Sequence, residues 1–316
     1  MVLNKYVIAV SGGVDSVVLL DMIVTGRLKL VDGVWQQSEP KYQVQTTDSQ
    51  FIVAHFDHGI REESGDDARF VEQLAEYHGL PFEKGSAELG FGASEDRARR
   101  ERYFYLRQVC KKYNAPTIVT AHHQDDLVET VIINLIRGTG WRGLASLEST
   151  PVISRPLLGI NKNDILSYAK RYNLQWVEDS TNINQLYLRN YIRHTVVPAA
   201  VKTDSEFSSK MSEIVTTMQN LKKEIDSEAS AVLTQAHISE DYFVYSRHKL
   251  TMWPEVVARE VIYRTLISID PDWHPTMQHI KKTLHFAKTA HVGKTLRVSK
   301  KLIIESKKRH VEFKKY

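Results

Sequence analysis

The sequence predicts an α/β protein, in which a doubly wound parallel sheet is followed by a smaller helical and mixed domain. Short apolar runs typical of buried strands alternate with longer segments whose apolar residues recur at helical spacing. This alternation indicates a parallel sheet with helices on both faces, and it fades after Pro151. The chain has 316 residues, and at about 100–200 residues per domain this length favours two domains.

Composition excludes several classes of protein. The sequence is 42% apolar and 25% charged, which is ordinary for a globular protein and unlike a disordered chain. The best apolar run, 17–24, is interrupted by Asp21 and is much shorter than the roughly 18 residues that a membrane-spanning helix needs. We therefore expect a cytoplasmic protein. Cys110 is the one cysteine, so a single chain cannot form a disulfide, a CxxC zinc site or an iron–sulfur cluster.

The first part of the chain supplies the predicted sheet. Three short apolar runs are predicted strands: 6–10 (YVIAV), 51–56 (FIVAHF) and 117–121 (TIVTA). Apolar residues at helical spacing predict the helices that accompany them: 15–24, 62–77, 93–113 and 123–137. Residues 26–50 are polar and irregular, which indicates a surface insertion.

The second part has a different organisation. Its pattern predicts four helices and a hairpin-like end: 161–172, 184–197, 204–235, 254–268 and then 294–315. We place the domain boundary near Val201, which gives a sheet domain over 1–201 and a helical linker with a small basic domain over 202–316.

Charge is distributed unevenly. The net charge is +4, but residues 277–316 hold twelve Lys or Arg and two Asp or Glu, a net of +10 that leaves −6 for the rest of the chain. This asymmetry favours a polyanionic partner, nucleic acid first. A solvated basic tail would have the same composition.

The strongest local signal is SGGVDS at residues 11–16, between the first strand and its helix. Glycines let backbone amides approach an anion closely, and the helix N-terminus adds N–H donors and the positive end of a dipole. The hydroxyls of Ser11 and Ser16 are further donors, and Asp15 could hold a magnesium ion beside bound phosphates. We interpret the segment as a phosphate-binding loop.

The second strand runs into HFDHGIR at residues 55–61. His55 and Asp57 are residue types that bind zinc or manganese, but the sequence shows no accompanying set of further ligands nearby. A nucleotide-binding loop is equally natural at the end of a strand. Both interpretations remain open for this segment.

An arginine-rich helix follows, with EDRARRERY at residues 95–103. Arg99, Arg102 and Tyr103 are spaced by about one turn and share a helix face. Guanidinium groups match phosphate oxygens in a bidentate manner. Taken alone, the segment would favour a solvated basic face.

The third strand leads into AHHQDDLVET at residues 121–130. His122, Asp126 and Glu129 are three or four residues apart, so the first turns of one helix can present them together. Such a cluster could bind a metal ion or an ammonium group. The attraction of acidic residues to a helix N-terminus explains Asp125 and Asp126, but not His122 together with Glu129.

Seven segments together resemble the N-type ATP pyrophosphatases, also called the PP-loop superfamily, and within them the tRNA(Ile)-lysidine synthetase family. They cover roughly residues 5–200 in the family's order: SGGVDS, HFDHGIR, EDRARRERY, AHHQDDLVET, RGTGWRGLAS, RPLL and EDSTNINQLYLRNYIRH. Beyond Val201 the resemblance is limited to the order of structural elements, helices followed by a small basic domain. The resemblance implies an adenine nucleotide alpha hydrolase-like sheet with a smaller C-terminal domain.

The resemblance also implies roles for particular residues. It implies ATP binding by Ser11, Gly12, Gly13, Val14, Asp15, Ser16, His55 and Asp57. It implies Mg2+ binding by Asp15, lysine binding by Asp126 and Glu129, and catalytic roles for Asp15, Arg99, His122, Asp126 and Glu129. For contacts with tRNA or phosphate, the candidates are Arg102, Arg189, Arg193, Lys294, Arg297, Lys300 and Lys301.

The reaction that the resemblance implies has two steps. ATP adenylates carbon 2 of the wobble cytidine of a tRNA(Ile) with a CAU anticodon, and pyrophosphate leaves. The ε-amine of free lysine then attacks carbon 2 and expels AMP, which makes the enzyme an ATP-dependent ligase that forms a carbon–nitrogen bond. ATP is a co-substrate and Mg2+ the implied metal, with no membrane partner. A monomer and a homodimer both stay open.

Three other functions compete with this one. A tRNA thiolase of the same superfamily would use paired cysteines or an iron–sulfur cluster, which Cys110 alone cannot supply. An amidating ligase for a small molecule would not need the basic segment 277–316. A non-catalytic nucleotide-binding module would not need three charged segments that converge beside the phosphate loop. Fold alone does not decide function, so the prediction rests on the set of motifs.

Overall fold

A computed structural model describes residues 5–31, 34–38, 50–59, 64–87, 90, 95–178, 188–239 and 241–316. The chain divides into two compact units, Met1–Thr216 and Thr217–Tyr316. The division falls inside a long helix, Phe207–Ala236. The functional boundary near Val201 stays a prediction.

The first unit is built on a parallel sheet. Its strands are β1 (Tyr6–Ala9), β2 (Leu28–Val31), β3 (Val34–Gln37), β4 (Phe51–Asp57), β5 (Phe82–Ser86), β6 (Thr117–Val119) and β7 (Ile153–Ser154). Five of them pair in the order β5–β4–β1–β6–β7, and every pairing in this sheet is parallel. The predicted fold class is confirmed.

Helices follow most of these strands. They are α1 (Val14–Val24), α2 (Ser64–Tyr77), α3 (Glu95–Tyr113), α4 (Gln124–Ile136), α5 (Trp141–Leu144), α6 (Lys162–Arg171), α7 (Leu188–Tyr191), a π-helix (Ile192–Val196) and α8 (Val197–Thr203). The bounds of α1 to α4 and α6 agree with the predicted helices to within two residues. The short α5 was not predicted, and the predicted helix 184–197 continues through the π-helix and α8 to Thr203. The parts of those predictions at 62–63, 93–94 and 184–187 lie outside the described residues.

Both faces of the sheet are buried, which is why the central strands are apolar without alternation. Ile8 and Val53 point to one face and pack in a cluster with residues of α1, α2 and α6. Their chain neighbours Val7 and Ile52 point to the other face and pack against α3. The helices pack on the two faces of the sheet. The carboxyl ends of its parallel strands lie on the same side, where the loops that follow them meet.

Two strands of the sheet and one hairpin differ from the sequence-based prediction. β5 (FEKGS) and β7 (IS) were not predicted, because they lie at the sheet edges and owe their pairing to backbone hydrogen bonds with β4 and β6. Residues 26–50 were predicted to be irregular, but their described part holds the antiparallel β2–β3 hairpin. Trp35 of this hairpin packs edge-on against Tyr6 and its indole N–H donates to Ser154 Oγ at 2.8 Å.

The second unit is mixed. After α9 (Phe207–Ala236) it contains β8 (His237–Ser239), β9 (Tyr242–Ser246), α10 (Arg247–Met252), α11 (Glu255–Ile269), α12 (Met277–Thr289), β10 (Thr295–Arg297), β11 (Leu302–Ser306) and β12 (His310–Lys315). The strands form an antiparallel sheet in the order β10–β11–β12–β9–β8, so the predicted hairpin-like end is part of a larger sheet. Among the described residues, no helix is both long enough and apolar enough to cross a bilayer.

Candidate active site

The SGGVDS segment forms a tight turn between β1 and α1. Gly12 has a φ of +93°, a conformation that side chains with a Cβ rarely adopt, and its carbonyl accepts from Val177 N–H at 3.0 Å. Ser16 Oγ donates to the Gly13 carbonyl at 2.8 Å and accepts from Ser11 N–H at 3.2 Å. Gly13 precedes α1 without a side-chain cap, so the first amides of this helix are available to an anion.

Asp15, in the first turn of α1, faces a cluster of cationic and polar groups. Its carboxylate accepts from Lys162 Nζ at 2.5 Å, and its Oδ2 lies 3.8 Å from His123 Nε2. Lys162 begins α6, and its backbone N–H donates to Asp125 Oδ1 at 3.3 Å. The phosphate loop, the start of α4 and the start of α6 are therefore joined through polar contacts.

The start of α4 fixes Asp126. His123 is the N-cap residue, and its Nδ1 accepts from Asp125 N–H at 3.3 Å. In return, Asp126 Oδ2 accepts from His123 N–H at 3.1 Å, which completes a capping box. Burial alone would raise the pKa of Asp126, but His123, His122 and Arg189 hold this pKa below its ordinary value. Asp126 is therefore an oriented, ionised carboxylate.

Glu129 lies one turn further along α4 and is only 2% exposed. Arg193 binds it as a fork, with Nε 2.6 Å from Oε1 and an Nη 2.9 Å from Oε2. Arg189 Nε donates to the same Oε2 at 3.1 Å. Arg193 also reaches Asp126 Oδ1 at 3.2 Å. The two predicted lysine-binding carboxylates are thus paired with two predicted phosphate-binding arginines.

A π-helical turn presents this arginine pair. Arg189 lies in α7 and Arg193 in the π-helix, which runs from Ile192 to Val196. Pro198 follows in the first turn of α8 and has no N–H to donate to the carbonyl of residue 194, as an α-helix would require. The helix therefore widens, and both guanidinium groups reach α4.

The arginine-rich face of α3 also contributes to the site. The Arg99 and Arg102 guanidinium groups lie 4.8 and 5.7 Å from the centroid of the Tyr103 ring. Arg155, in the RPLL segment, is buried and its guanidinium donates to the Glu148 carbonyl at 2.5 Å. The pKa of Arg155 is lowered, mainly by burial. Arg99 and Arg102 line the same cleft as Arg189 and Arg193, and guanidinium groups are suited to bind phosphate oxygens.

The HFDHGIR segment is described in its first part, and residues 60–61 lie outside the described residues. His55 is buried, and its Nδ1 is 2.9 Å from the Val10 carbonyl. Asp57 Oδ1 accepts from Gly59 N–H at 2.9 Å. Burial lowers the pKa of His58 to about 4, and Arg102 adds to this effect. Within the described ranges, no three His, Cys, Asp or Glu side chains form a group that could hold a metal ion, so the zinc or manganese interpretation gains no support.

Most of the predicted site residues meet around two adjoining clefts of about 500 and 470 Å³. Ser11, Asp15 and Arg193 line both of them. The first is also lined by Ser16, His55, Asp57, Arg99, Arg102, His122, Asp126 and Arg189. The second is also lined by Gly13, Glu129 and Lys162. The predicted tRNA-binding residues Lys294, Arg297, Lys300 and Lys301 belong to the second unit.

Several polar residues of the site have no role assigned from the sequence, among them Lys162, His123 and Asp67, which lines both clefts. Lys162 could have been suspected, because it opens a helix just after the RPLL segment, but its contact with Asp15 spans 147 positions. His123 was included in its motif without a role, and the structure shows it as the N-cap of α4. The contact between Arg189, Arg193 and Glu129 was also not predicted from the sequence.

His122 is held as a neutral imidazole at neutral pH. Its Nδ1 is 2.8 Å from Thr120 Oγ1. Burial lowers the pKa of His122 to about 3; Asp126 opposes this effect, and Arg155, Arg102 and Arg99 reinforce it. The ring can therefore accept a hydrogen bond at pH 7 without being charged.

This buried histidine predicts a pH dependence of stability. The pKa of His122 falls from 6.5 to about 3 on folding, so the unfolded chain binds more protons between these values and the free energy of unfolding falls as pH falls below 6.5. One such group accounts for about 2 kcal/mol between pH 6.5 and 5. The free energy of unfolding is measured in urea at pH 6.5 and at pH 5. The difference between the two values should be smaller in His122→Asn than in the wild type by about this amount.

The matched control is His291→Asn, at an exposed position of the second unit. It should show the same difference in the free energy of unfolding between pH 6.5 and 5 as the wild type. If His122→Asn shows the same pH dependence of the free energy of unfolding as the wild type, this histidine is protonated as readily in the folded protein as in the unfolded chain.

Comparison with known proteins places the chain in a family. Residues 2–200 match the family model described as a PP-loop domain, which is more than half of the sequence. The chain therefore belongs to the PP-loop family, and the predicted membership is confirmed.

Similar curated proteins share a name. The tRNA(Ile)-lysidine synthase of Thermotoga maritima is 36% identical over 198 residues, which cover 60% of this chain and 44% of the relative. That of Geobacter sulfurreducens is 35% identical over 206 residues, covering 62% and 40%. The matched region spans less than half the length of these relatives.

Among solved structures, the U34-tRNA thiolase NcsA from Methanococcus maripaludis, with its [4Fe-4S] cluster, has a similar fold. The TM-score is 0.52, with 19% identity and coverage of 70% of this chain and 73% of the thiolase. At this identity the likeness concerns the fold alone.

Proposed function

We propose that the protein is a tRNA(Ile)-lysidine synthase, an ATP-dependent ligase that forms a carbon–nitrogen bond. Its substrates would be ATP, free L-lysine and a tRNA(Ile) with a CAU anticodon, and its products lysidine, AMP and pyrophosphate. One observation carries the proposal: an anion-binding loop, the arginine-rich face of α3 and the carboxylates of Asp126 and Glu129 line adjoining clefts. The relatives' shared name supports the choice of substrates. A cytoplasmic location goes with a tRNA substrate.

In the first step the carbonyl oxygen at carbon 2 of the cytidine attacks the α-phosphorus, and the bond to the pyrophosphate oxygen breaks. The amides at the start of α1, with the Ser11 and Ser16 hydroxyls, would bind the pyrophosphate. Arg99 and Arg102 would stabilise charge that develops on the α-phosphate, because preorganised donors act strongly in such a site.

Asp15 is suited to hold a divalent cation such as Mg2+. Its side chain is 31% exposed and already has the Lys162 ammonium as a counter-ion. In nucleotide sites Mg2+ commonly takes one or two carboxylates and completes its shell with phosphate oxygens and water. When bound, the cation would neutralise charge on the phosphates. Asp15 would position it, and Lys162 would need to release Asp15.

In the second step the ε-ammonium of lysine first loses a proton to solvent, and the free amine then attacks carbon 2. The bond from carbon 2 to the AMP oxygen breaks, AMP leaves, and the nitrogen gives its second proton to solvent. Free lysine is an ammonium at pH 7, since its pKa is about 10.4. Asp126 and Glu129 would bind the ammonium. His122 is neutral at this pH and would accept a hydrogen bond from the amine as it approaches.

The decisive experiment is transfer of labelled lysine to RNA. The protein is incubated with ATP, Mg2+, labelled L-lysine and a tRNA(Ile) transcript with a CAU anticodon. We expect label in the transcript, dependent on ATP. The matched control is the same transcript with uridine in place of the wobble cytidine. Absence of label from the CAU transcript, or equal labelling of the control, would contradict the proposal.

The basic C-terminal segment is proposed to hold the tRNA backbone, since phosphate contacts position a nucleic acid. Lys294, Lys300 and Lys308 are exposed, and none of them pairs with a carboxylate in the part of the chain that the structure describes. Lys301, by contrast, donates to Asp272 at 2.9 Å. The first three are therefore the better lysines to alter.

Replacing Lys294, Lys300 and Lys308 together by glutamate should weaken tRNA binding and flatten its salt dependence. The slope of log affinity against log salt should fall by about 0.7–0.9 for each lost phosphate contact. Filter binding over a salt series measures it. The control replaces three lysines that are exposed in the first unit by glutamate: Lys111, Lys170 and Lys202. Equal slopes in both triple variants would contradict a specific role of the segment.

A further inference from the structure

The predicted lysine site and the predicted phosphate-binding arginines are bound to each other in this structure. Glu129 accepts from Arg193 at 2.6 and 2.9 Å and from Arg189 at 3.1 Å. Asp126 accepts from Arg193 at 3.2 Å. The two carboxylates and two guanidinium groups form a set with no net charge. The arginines cannot serve phosphates and these carboxylates fully at the same time.

Burial shows which partner is on the cleft side. The side chain of Glu129 is 2% exposed, whereas those of Arg193 and Arg189 are 33% and 24% exposed. Glu129 and Arg193 both line the second cleft, but with so little exposure the carboxylate of Glu129 is largely shielded by the two guanidinium groups. An ammonium that approaches Glu129 must displace an arginine, or else add a third cation to two partly buried carboxylates, which is unfavourable in a poorly solvated site.

Arg193 is also placed to reach bound phosphates. It lines both clefts together with Ser11 and Asp15 of the phosphate loop. Glu129 above all, and also Asp126 and Asp15, raise the pKa of Arg193, against the effect of burial. The negative charge of Asp15, in the phosphate loop, therefore already stabilises the charged guanidinium. Nucleotide phosphates bound there would compete with Glu129 for the same cation.

We propose that Arg189 and Arg193 are shared counter-ions that cover the lysine site until nucleotide phosphates draw them away. Nucleotide binding then uncovers Asp126 and Glu129, so that lysine enters after the nucleotide. This inference rests on the proposed function and adds an order of binding to it. Because coupling between two sites is reciprocal, lysine should tighten nucleotide binding by the same factor.

The test uses the wild-type protein. The dissociation constant of L-lysine is measured by calorimetry with and without α,β-methylene-ATP and Mg2+, an analogue whose α–β bond is not cleaved. We expect lysine to bind about 10-fold more tightly in its presence, within the usual range of such couplings, and the analogue to bind more tightly with lysine by the same factor. Equal affinity for lysine in both conditions would overturn the inference.

Arg193→Gln separates this role from a structural one. With one cation removed, lysine should bind more tightly than to wild type in the absence of nucleotide, and the coupling factor should shrink. A merely structural role predicts weaker lysine binding with the coupling unchanged. Arg107→Gln is the matched control, because Arg107 is an exposed arginine of α3 that lines neither cleft. If Arg193→Gln does not fold, the wild-type measurement still decides.

The outcomes also separate the inference from the function on which it rests. Transfer of lysine to tRNA without any coupling would overturn the inference and leave the proposed function in place. If lysine neither binds nor is transferred, both are overturned. Coupling together with transfer supports both.

Discussion

Asp15→Asn should reduce the release of pyrophosphate by about 100-fold or more, the size of effect seen when one preorganised electrostatic group is removed. Asparagine keeps the shape of the side chain and removes the charge that would hold a divalent cation beside the phosphates. Because Asp15 is 31% exposed and lies in the first turn of α1, the fold should survive. Release is measured with a coupled pyrophosphate assay in the presence of tRNA, ATP and Mg2+.

The matched control for this change is Asp66→Asn. Asp66 is an acidic residue in the first turn of α2, and its side chain is 68% exposed, so its variant should release pyrophosphate at the wild-type rate. Near-normal release by Asp15→Asn would remove the proposed role of this carboxylate in holding the cation.

Glu129→Gln should separate the two half-reactions. Glutamine fills the same space without the charge that would bind the lysine ammonium, so adenylated tRNA should accumulate while lysine transfer falls by about 100-fold or needs far more lysine. Arg99→Ala should instead impair adenylation, because Arg99 is proposed to support the α-phosphate. Both steps can be followed on one gel with α-labelled ATP and labelled lysine.

Two controls make this comparison secure. Arg107→Ala removes an exposed arginine from the same helix as Arg99 and should leave both steps intact. Neutralising a buried, paired carboxylate can cost about 3–5 kcal/mol of stability, so circular dichroism should confirm folding of Glu129→Gln. If Glu129→Gln does not fold, Asp126→Asn changes the other proposed lysine-binding carboxylate, at a less buried position. Equal loss of adenylation in Glu129→Gln and Arg99→Ala would contradict the division of roles.

The central strands could be predicted from sequence because burial on both sides leaves an uninterrupted apolar run, as in β1 and β4. The edge strand β5 could not, since FEKGS carries no such run and pairs through its backbone alone. The β2–β3 hairpin was missed for a related reason. Its strands, LKLV and VWQQ, are short, and they lie within a polar stretch.

The site was predictable to the extent that its residues follow strands. Asp15 and Asp126 each come at the start of a helix behind a central strand, so topology alone brings them to the same edge of the sheet. The pairing of Glu129 with Arg193 has no such signal. It depends on how a helix about sixty residues later is wound, and local patterns do not report that. Sequence analysis therefore found the members of the site without finding their partners.

The wide helical turn at Ile192–Val196 makes this segment sensitive to its length. Each residue of an α-helix turns the chain by about 100°, so deleting one residue here would rotate the C-terminal part of the helix relative to its N-terminal part. Arg189, before the turn, and Val197, which follows it and lines the second cleft, could then no longer both keep their places. Side chains facing solvent in this stretch should be freely exchangeable, whereas insertions and deletions should be rare among natural variants of the chain.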